Sequence, residues 1–263
     1  MDGSRGRSPP APRVMDLRTA FRSSLPGWPG DSRAQVRVVL LATCDWLPWL
    51  AEASVLLDDA DRARARRRRD ARDRDELTVS YALHRLLVAA RMDIDAAAVP
   101  LVRDALGCPR LRGTPLSTSL SHSAGTLALA LAEAGPVGVD IEPADRVGVM
   151  SEIARHVAHP AEMAALAGAS SDGINRRLLE IWVRKEALLK AAGVGMAREM
   201  STFAAPAGRP LPLAPVGAEK TWLQMLDIGD DWVGAVAAPP GAPVECIRLR
   251  PPAEVSVFAR AVR

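Results

Sequence analysis

The hydrophobic and polar positions divide the chain into a polar beginning and two groups of regular elements. Residues 1–34 are rich in Pro, Gly, Ser and Arg and lack a lasting periodicity, which predicts a mobile N-terminal tail. The continuous, β-branched run Val36–Ala42 predicts a first strand. Two helices are expected next, one capped by Asp58 or Asp59 and a longer one that begins near Asp73.

From about Pro115 the pattern changes to short strands. The segments LSTSLSHS, TLALALAEAG and VGVDIE predict three successive strands joined by short turns that contain glycine. Three further helices are expected, at about Val149–His156, Pro160–Ala167 and Ile174–Ala192. Three further strands are expected, at Lys220–Leu226, Trp232–Ala237 and Val244–Leu249. Residues 35–134 and 135–263 each combine helix with a small antiparallel meander, so the predicted class is α+β.

The composition is that of a globular protein with an aliphatic core, because 48% of the 263 residues are hydrophobic and only 4% are aromatic. No uncharged apolar run reaches the roughly 18 residues of a membrane helix, and the N-terminus lacks the apolar core of a signal peptide. Three cysteines without a CxxC spacing argue against disulfides and zinc. We therefore expect a cytoplasmic protein without a membrane partner, and the net charge of +3 suggests an anionic one.

The arginine-rich segment Arg62–Arg74 raises the question of nucleic-acid binding. Aspartates at positions 61, 70, 73 and 75 interrupt or flank this run, and Tyr81 is the one nearby aromatic residue for base stacking. A solvated, charged helix face is the more common origin of such a run. The alternatives are a nucleic-acid surface and a subset of arginines that faces one anionic ligand.

Two opposite charges stand on the apolar face of the last predicted helix. At roughly 100° per residue, one arc contains Leu178, Leu179, Ile181, Trp182, Leu188 and Leu189. Lys185 and Glu186 project from within this arc, where an unpaired charge is costly to bury. Three interpretations are open. The two residues form a structural ion pair, their long side chains reach solvent at the rim of the core, or they belong to a functional site.

A second unusual pattern is VGVDIEP, residues 137–143. Alternate residues of a strand share a face, so Asp140 and Glu142 lie side by side, opposite the apolar residues. Two adjacent carboxylates repel each other unless a cation lies between them, and oxygen ligands suit Mg²⁺ or Mn²⁺. A solvated acidic strand edge is the alternative. Glu186 would complete a triad of carboxylates, and Lys190 one turn further along would suit a pyrophosphate.

The segment SLSHS ends the first of the three predicted strands. Hydroxyls, backbone amides and a histidine at a strand end can receive a phosphate, which makes Ser121 and His122 candidate ligands. A turn histidine with only a structural role is the alternative.

Together, GVDIE, WVRKEALLK and the upstream SLSHS resemble the paired signature of the Sfp-type 4′-phosphopantetheinyl transferases. The resemblance implies two similar α+β halves, a pseudo-dimeric arrangement within one chain that acts as a monomer. It also implies the activity. The phosphopantetheine arm of coenzyme A is transferred to a serine of an acyl, peptidyl or polyketide carrier protein, which releases adenosine 3′,5′-bisphosphate and involves no nucleic acid.

The resemblance further implies roles for individual residues of this chain. Asp140, Glu142 and Glu186 would bind Mg²⁺, with Mn²⁺ as a possible substitute. Glu186 would be the general base, unless a metal-bound water replaces it, and Lys190 would stabilise the transition state. The expected contacts to the phosphates of coenzyme A are Lys185, Lys190, Ser121 and His122, with Arg62, Arg64 or Arg66 at the 3′-phosphate.

Three positions depart from the family pattern. Cys108 stands where relatives often carry lysine, and Arg110 is the candidate replacement. Val183 and Glu76 stand where a small hydroxyl or thiol and an arginine are frequent. Two other functions compatible with the sequence are a Mg²⁺-dependent phosphohydrolase with the same carboxylates and a nucleic-acid-binding protein that uses the arginine run.

Overall fold

The computed structural model describes residues 15–27, 36–195, 198–213 and 220–252. The helices of these ranges are α1 (Leu17–Ser24), α2 (Leu50–Leu56), α3 (Asp59–Arg66), α4 (Ala71–Met92), α5 (Met150–Val157), α6 (Pro160–Ala165) and α7 (Ser171–Ala192). The strands are β1 (Val36–Ala42), β2 (Leu101–Arg103), β3 (Pro109–Leu111), β4 (Ser117–Ser123), β5 (Thr126–Ala132), β6 (Gly138–Pro143), β7 (Pro210–Pro212), β8 (Lys220–Met225), β9 (Trp232–Ala238) and β10 (Val244–Leu249). The mixture of helices and small sheets confirms the predicted α+β class.

Two four-stranded sheets form the centre of the molecule. The first has the order β10-β1-β5-β4 and the second the order β6-β9-β8-β7, while β2 and β3 form a separate pair. Among the described strands, all pairings are antiparallel except that of β1 with β10. The edge strands β4 and β6 lie beside each other at the seam between the two sheets, where side-chain hydrogen bonds join them.

Alternation of side chains along the strands builds three apolar cores. On β5, Leu127, Leu129 and Leu131 pack towards α4, whereas Ala128, Ala130 and Ala132 face the second sheet. On β9, Ala235 and Ala237 pack towards α7, whereas Val236 faces the first sheet. The two sheets therefore pack face to face, and each carries a 22-residue helix on its outer side.

The two long helices begin at polar caps that the sequence supplies. The Asp70 carboxylate accepts hydrogen bonds from the backbone N–H groups of Arg72 and Asp73 at the start of α4. The Ser170 hydroxyl caps α7 in the same way. Helix α7 ends at Gly193, whose φ of 68° is a left-handed conformation that glycine adopts without steric cost.

The structure differs from the sequence-based expectation at two places in the domain plan. Residues 15–27 of the expected tail contain α1, in which Leu17 and Phe21 are buried and Phe21 lies 5.7 Å from Trp46 between ring centroids. The remainder of residues 1–34 lies outside the described residues. The strand β10 pairs with β1, so a strand from the second half of the chain belongs to the sheet of the first half.

None of the helices in the described ranges is both long enough and apolar enough to cross a lipid bilayer.

Candidate active site

The acidic strand β6 points its carboxylates at α7. Val139 and Ile141 belong to the core between the sheets, so Asp140 and Glu142 point to the opposite side of the strand. Gly138 permits the close approach of α7, because a Cβ atom there would lie 2.0 Å from the carbonyl oxygen of Ala187. Both carboxylates are buried as a result.

Glu186 and Lys190 lie one turn apart on α7 and face this strand. The Nζ atom of Lys190 donates to Oδ1 of Asp140 at 2.7 Å. Burial, and then repulsion from Asp140, raises the pKa of Glu186 to about 7. Burial also raises the pKa of Asp140, although the positive charge of Lys190 opposes that shift. The helix and the strand thus bring two carboxylates and one ammonium group into one buried cluster.

Two carboxylate oxygens of this cluster have no hydrogen-bond partner. Oδ2 of Asp140 and Oε1 of Glu186 are both buried and unpaired. Buried acceptors without a donor are costly, and acidic oxygens in this situation suit a hard divalent cation. Within the described part of the chain, however, no three Asp, Glu, His or Cys side chains are close enough together to hold a metal ion. The donor chemistry fits the expected cation, but the three-carboxylate arrangement is not preformed.

Both carboxylate oxygens of Glu142 already have hydrogen-bond donors. Its Oε2 accepts a 2.7 Å hydrogen bond from the Ser123 hydroxyl, and its Oε1 accepts a 2.6 Å bond from Arg146. The guanidinium of Arg146 also lies over the Trp182 ring, 5.5 Å from its centroid. The sequence analysis did not identify Arg146. Its position four residues after Glu142 was the pattern that could have indicated this ion pair.

Lys185 does not belong to the cluster, which corrects the expectation that it contacts phosphate. It is fully buried, and its Nζ atom donates to the carbonyl oxygens of Val157 and Met200 and to Oε2 of Glu162. These three partners use all three of its protons. The neighbouring positions 185 and 186 diverge by roughly 100° around the helix, so they face different surroundings.

Ser121 is likewise committed to a partner other than a phosphate. Its buried hydroxyl donates to Oδ1 of Asp140 at 2.7 Å. The expected direct contact of this hydroxyl with a phosphate stays a prediction, and it would require the hydroxyl to leave Asp140. In the structure, Ser121 contacts one of the candidate metal ligands.

His122 lies in a cavity of about 510 Å³ at the start of α4, whose lining also includes Arg68, Arg72, Ser80 and Thr43. Burial, and then the positive charges of Arg68 and Lys190, lower the pKa of His122. Two arginines, a histidine and three hydroxyls around one cavity make a candidate anion site. Asp73 and Glu76 also line it, and Glu76 pairs with Arg72 at 2.9 Å, so two carboxylates offset the charge of the two arginines.

The three arginines proposed for the 3′-phosphate do not line that cavity. Arg62 donates to Oδ1 of Asp59 and to the carbonyl oxygen of Leu57, and so holds the start of its own helix. Arg64 packs against Gly107, and Arg66 is exposed. The arginines that do line it are Arg68, in the turn between α3 and α4, and Arg72, in the first turn of α4. The sequence analysis missed them because it did not establish where that turn falls.

Arg110 lines a second cavity, of about 350 Å³, together with Cys108, Pro109 and Lys190. It donates to Oδ2 of Asp104 at 3.1 Å and packs so closely on the end of α7 that Gly193 has no room for a Cβ atom. Arg110 is therefore close to Lys190, as its expected role requires, although Asp104 offsets part of its charge.

Comparisons with known proteins point to the segment that contains β6 and α7. The sequence model of the 4′-phosphopantetheinyl transferase superfamily matches residues 136–215. A 4′-phosphopantetheinyl transferase, AcpT of Salmonella typhi, is 39% identical over 87 residues, which is 31% of this chain and 42% of the relative. The chain thus spans less than half the length of that relative. Residues 136–215 of this chain are thus similar to the 4′-phosphopantetheinyl transferase superfamily.

Proposed function

We propose that this protein transfers the 4′-phosphopantetheine arm of coenzyme A to a serine of a carrier protein, with release of adenosine 3′,5′-bisphosphate. One observation carries the proposal. The buried, unpartnered oxygens of Asp140 and Glu186 lie with Lys190 in one cluster, inside the segment that matches the superfamily. Acyl, peptidyl and polyketide carrier proteins are the candidate partners.

The proposed cation is Mg²⁺, with Mn²⁺ as a substitute. Asp140 and Glu186 would hold it through their unpartnered oxygens, and Glu142 would join through Oε1 after that oxygen gives up its hydrogen bond from Arg146. When bound, such an ion supplies polarisation of the diphosphate and neutralises the charge of the leaving nucleotide.

The remaining groups of the cluster suit the other requirements of a transfer to a hydroxyl. Lys190 contributes a fixed positive charge where negative charge develops on the diphosphate. Glu186 is also the candidate acceptor for the proton of the carrier serine, through the carboxylate oxygen that does not hold the cation.

The cavity that contains Arg68, Arg72 and His122 is the proposed site of the 3′-phosphate of coenzyme A. Its two arginines and its volume support this role, although Asp73 and Glu76 in the lining offset the positive charge. This proposal replaces the assignment to Arg62, Arg64 or Arg66. Ser121 and Ser123, the neighbours of His122 on β4, donate hydrogen bonds to Asp140 and Glu142, so the cavity adjoins the carboxylate cluster. A single coenzyme A molecule would then contact the cavity with its 3′-phosphate and the carboxylate cluster with its diphosphate.

We also propose that residues 35–134 and 135–263 are related halves of one monomeric enzyme. The first half contributes three strands of one four-stranded sheet and the second half all four strands of the other, and each half adds a 22-residue helix on the outer face, which supports a pseudo-dimeric origin. The strand β10 is the exception to this division. The cluster draws on both halves, because β4 supplies Ser121 and Ser123 while β6 and α7 supply the charges.

The experiment that tests the proposal follows the mass of the carrier protein. The protein is incubated with Mg²⁺, coenzyme A and an apo carrier protein, and the carrier is weighed by mass spectrometry. We expect the mass of one phosphopantetheine to be added, and no addition with Glu186→Gln or Asp140→Asn. Circular dichroism checks that both variants fold. Transfer by either variant would refute the assignment of the cluster, and bisphosphate release without a carrier would identify a hydrolase instead.

A further inference from the structure

Three serines on one strand bridge the seam between the two sheets. Ser119, Ser121 and Ser123 alternate along β4, so their side chains share one face. The hydroxyl oxygens of Ser119 and Ser121 accept hydrogen bonds from the backbone N–H groups of Val139 and Ile141, at 3.1 and 3.4 Å. These N–H groups belong to β6, an edge strand without a backbone neighbour on that side. The serine hydroxyls therefore accept the hydrogen bonds that the backbone carbonyls of a neighbouring strand would otherwise accept.

Ser121 has a second partner that fixes the direction of its proton. Because its oxygen accepts from Ile141, its O–H group is free to donate, and it donates to Oδ1 of Asp140. Lys190 donates to the same oxygen. Two donors on Oδ1 hold the carboxylate in one orientation and leave Oδ2 as the buried, unpartnered oxygen. Ser123 acts similarly on Glu142, since its hydroxyl donates to Oε2 at 2.7 Å.

We propose that Ser121 and Ser123 are positioning residues, which orient Asp140 and Glu142 for a divalent cation. This inference rests on the proposed function, because it concerns the same carboxylates. It assigns to Ser121 a role other than phosphate contact. Groups that hydrogen-bond to metal ligands fix the ligand geometry, and their loss typically weakens metal binding by about 10- to 100-fold.

Ser119 is a matched control within the same strand. It is buried like Ser121 and accepts a hydrogen bond from β6 in the same way, but the hydrogen bond it makes is to a backbone N–H and not to a carboxylate. A general loss of packing at the seam would affect Ser119→Ala and Ser121→Ala equally. A role in positioning would affect only the second.

The test measures the binding of Mn²⁺ to the full chain without coenzyme A or carrier protein. Free Mn²⁺ is followed by electron paramagnetic resonance during a titration, and urea unfolding is measured for every variant. We expect Ser121→Ala and Ser123→Ala to weaken Mn²⁺ binding by about 10- to 100-fold. Ser119→Ala should bind as the wild type does. Ser121→Thr, which keeps the hydroxyl, should retain most of the affinity.

The outcomes separate this inference from the proposed function. If the wild type binds Mn²⁺ and Asp140→Asn does not, the metal site stands. Unchanged affinity in both Ser121→Ala and Ser123→Ala, or an equal loss in Ser119→Ala, then overturns the positioning role alone. If the wild type binds no Mn²⁺, the proposed metal site fails and the inference fails with it. If Ser121→Ala does not fold, Ser123→Ala and Ser121→Thr decide.

Discussion

The ammonium group of Lys190 on α7 lies 2.7 Å from the Asp140 carboxylate on β6, and this ion pair joins the outer helix to the edge strand of its sheet. Only 6% of the Asp140 side chain is exposed, against 25% of the Lys190 side chain. The energetic cost of losing solvent is therefore greater for the carboxylate than for the ammonium group. The carboxylate depends on Lys190 and Ser121 for its hydrogen bonds. The same pair that stabilises this contact provides the charge that the proposed reaction needs.

The first prediction concerns Lys190→Met, which keeps the length of the side chain and removes its charge. We expect transfer to fall by about 10²- to 10³-fold, because a charge that stabilises the transition state is lost. The free energy of unfolding should fall by about 1–3 kcal/mol, because Asp140 loses a charged donor. A carrier-protein mass assay and urea unfolding measure the two effects. Lys220→Met, at an exposed position at the start of β8, is the control and should change neither.

The second prediction concerns the buried Lys185. We expect Lys185→Met to lower the free energy of unfolding by about 3–5 kcal/mol, since it leaves Glu162 and two backbone carbonyls without their donor. In a double-mutant cycle, Lys185→Met with Glu162→Gln should cost less than the sum of the single changes. A variant of normal stability with a raised KM for coenzyme A would instead restore the phosphate role expected from the sequence.

The third prediction concerns His84, which is buried beneath the first sheet. Its Nε2 lies 2.6 Å from Oγ1 of Thr118, whose hydroxyl donates to the carbonyl oxygen of Ala130, so Nε2 must carry the proton. Burial, and then the positive charges of Arg103 and Arg85, lower the pKa of His84 to about 3. The folded protein thus keeps His84 neutral at pH values where the unfolded chain protonates it.

The stability that depends on neutral His84 is present above the unfolded pKa of roughly 6.5 and is lost as the pH falls towards 3. Between pH 7 and pH 5 the loss is about 2 kcal/mol. His84→Gln keeps a donor for Thr118 but does not titrate. Urea unfolding at both pH values should therefore show the wild type losing about 2 kcal/mol relative to the variant. Parallel pH dependence of the two proteins would contradict the low pKa.

The fourth prediction concerns the cavity proposed for the 3′-phosphate. We expect Arg68→Ala to raise the KM for coenzyme A by about 10- to 100-fold, the usual worth of a charged hydrogen bond. The KM for 3′-dephospho-coenzyme A, which lacks the phosphate concerned, should hardly change. Arg66→Ala is the control, because Arg66 is exposed and outside the lining of the cavity. An equal effect on the two substrates would show that Arg68 does not contact the 3′-phosphate.

Much of the fold could be predicted from local patterns. The strand at Val36–Ala42 matches its predicted bounds, and the predicted long helices lie within a few residues of α4 and α7. Helix α1 escaped prediction because its burial depends on contacts with Trp46 and Trp49, which are distant in sequence. The parallel pairing of β10 with β1 is equally non-local, and the pattern of either strand alone carries no information about its neighbour.

The candidate site shows the same division. The sequence alone determined that Asp140 and Glu142 share a strand face and that Glu186 and Lys190 share a helix face, because periods of about 2 and 3.6 residues follow from backbone geometry. Only the tertiary structure decided what each charge meets. Packing turned Lys185 towards Glu162, paired Ser121 with Asp140 and engaged Glu142 with Arg146. These outcomes depend on the distance and direction of groups from other elements, which periodicity along one segment does not encode.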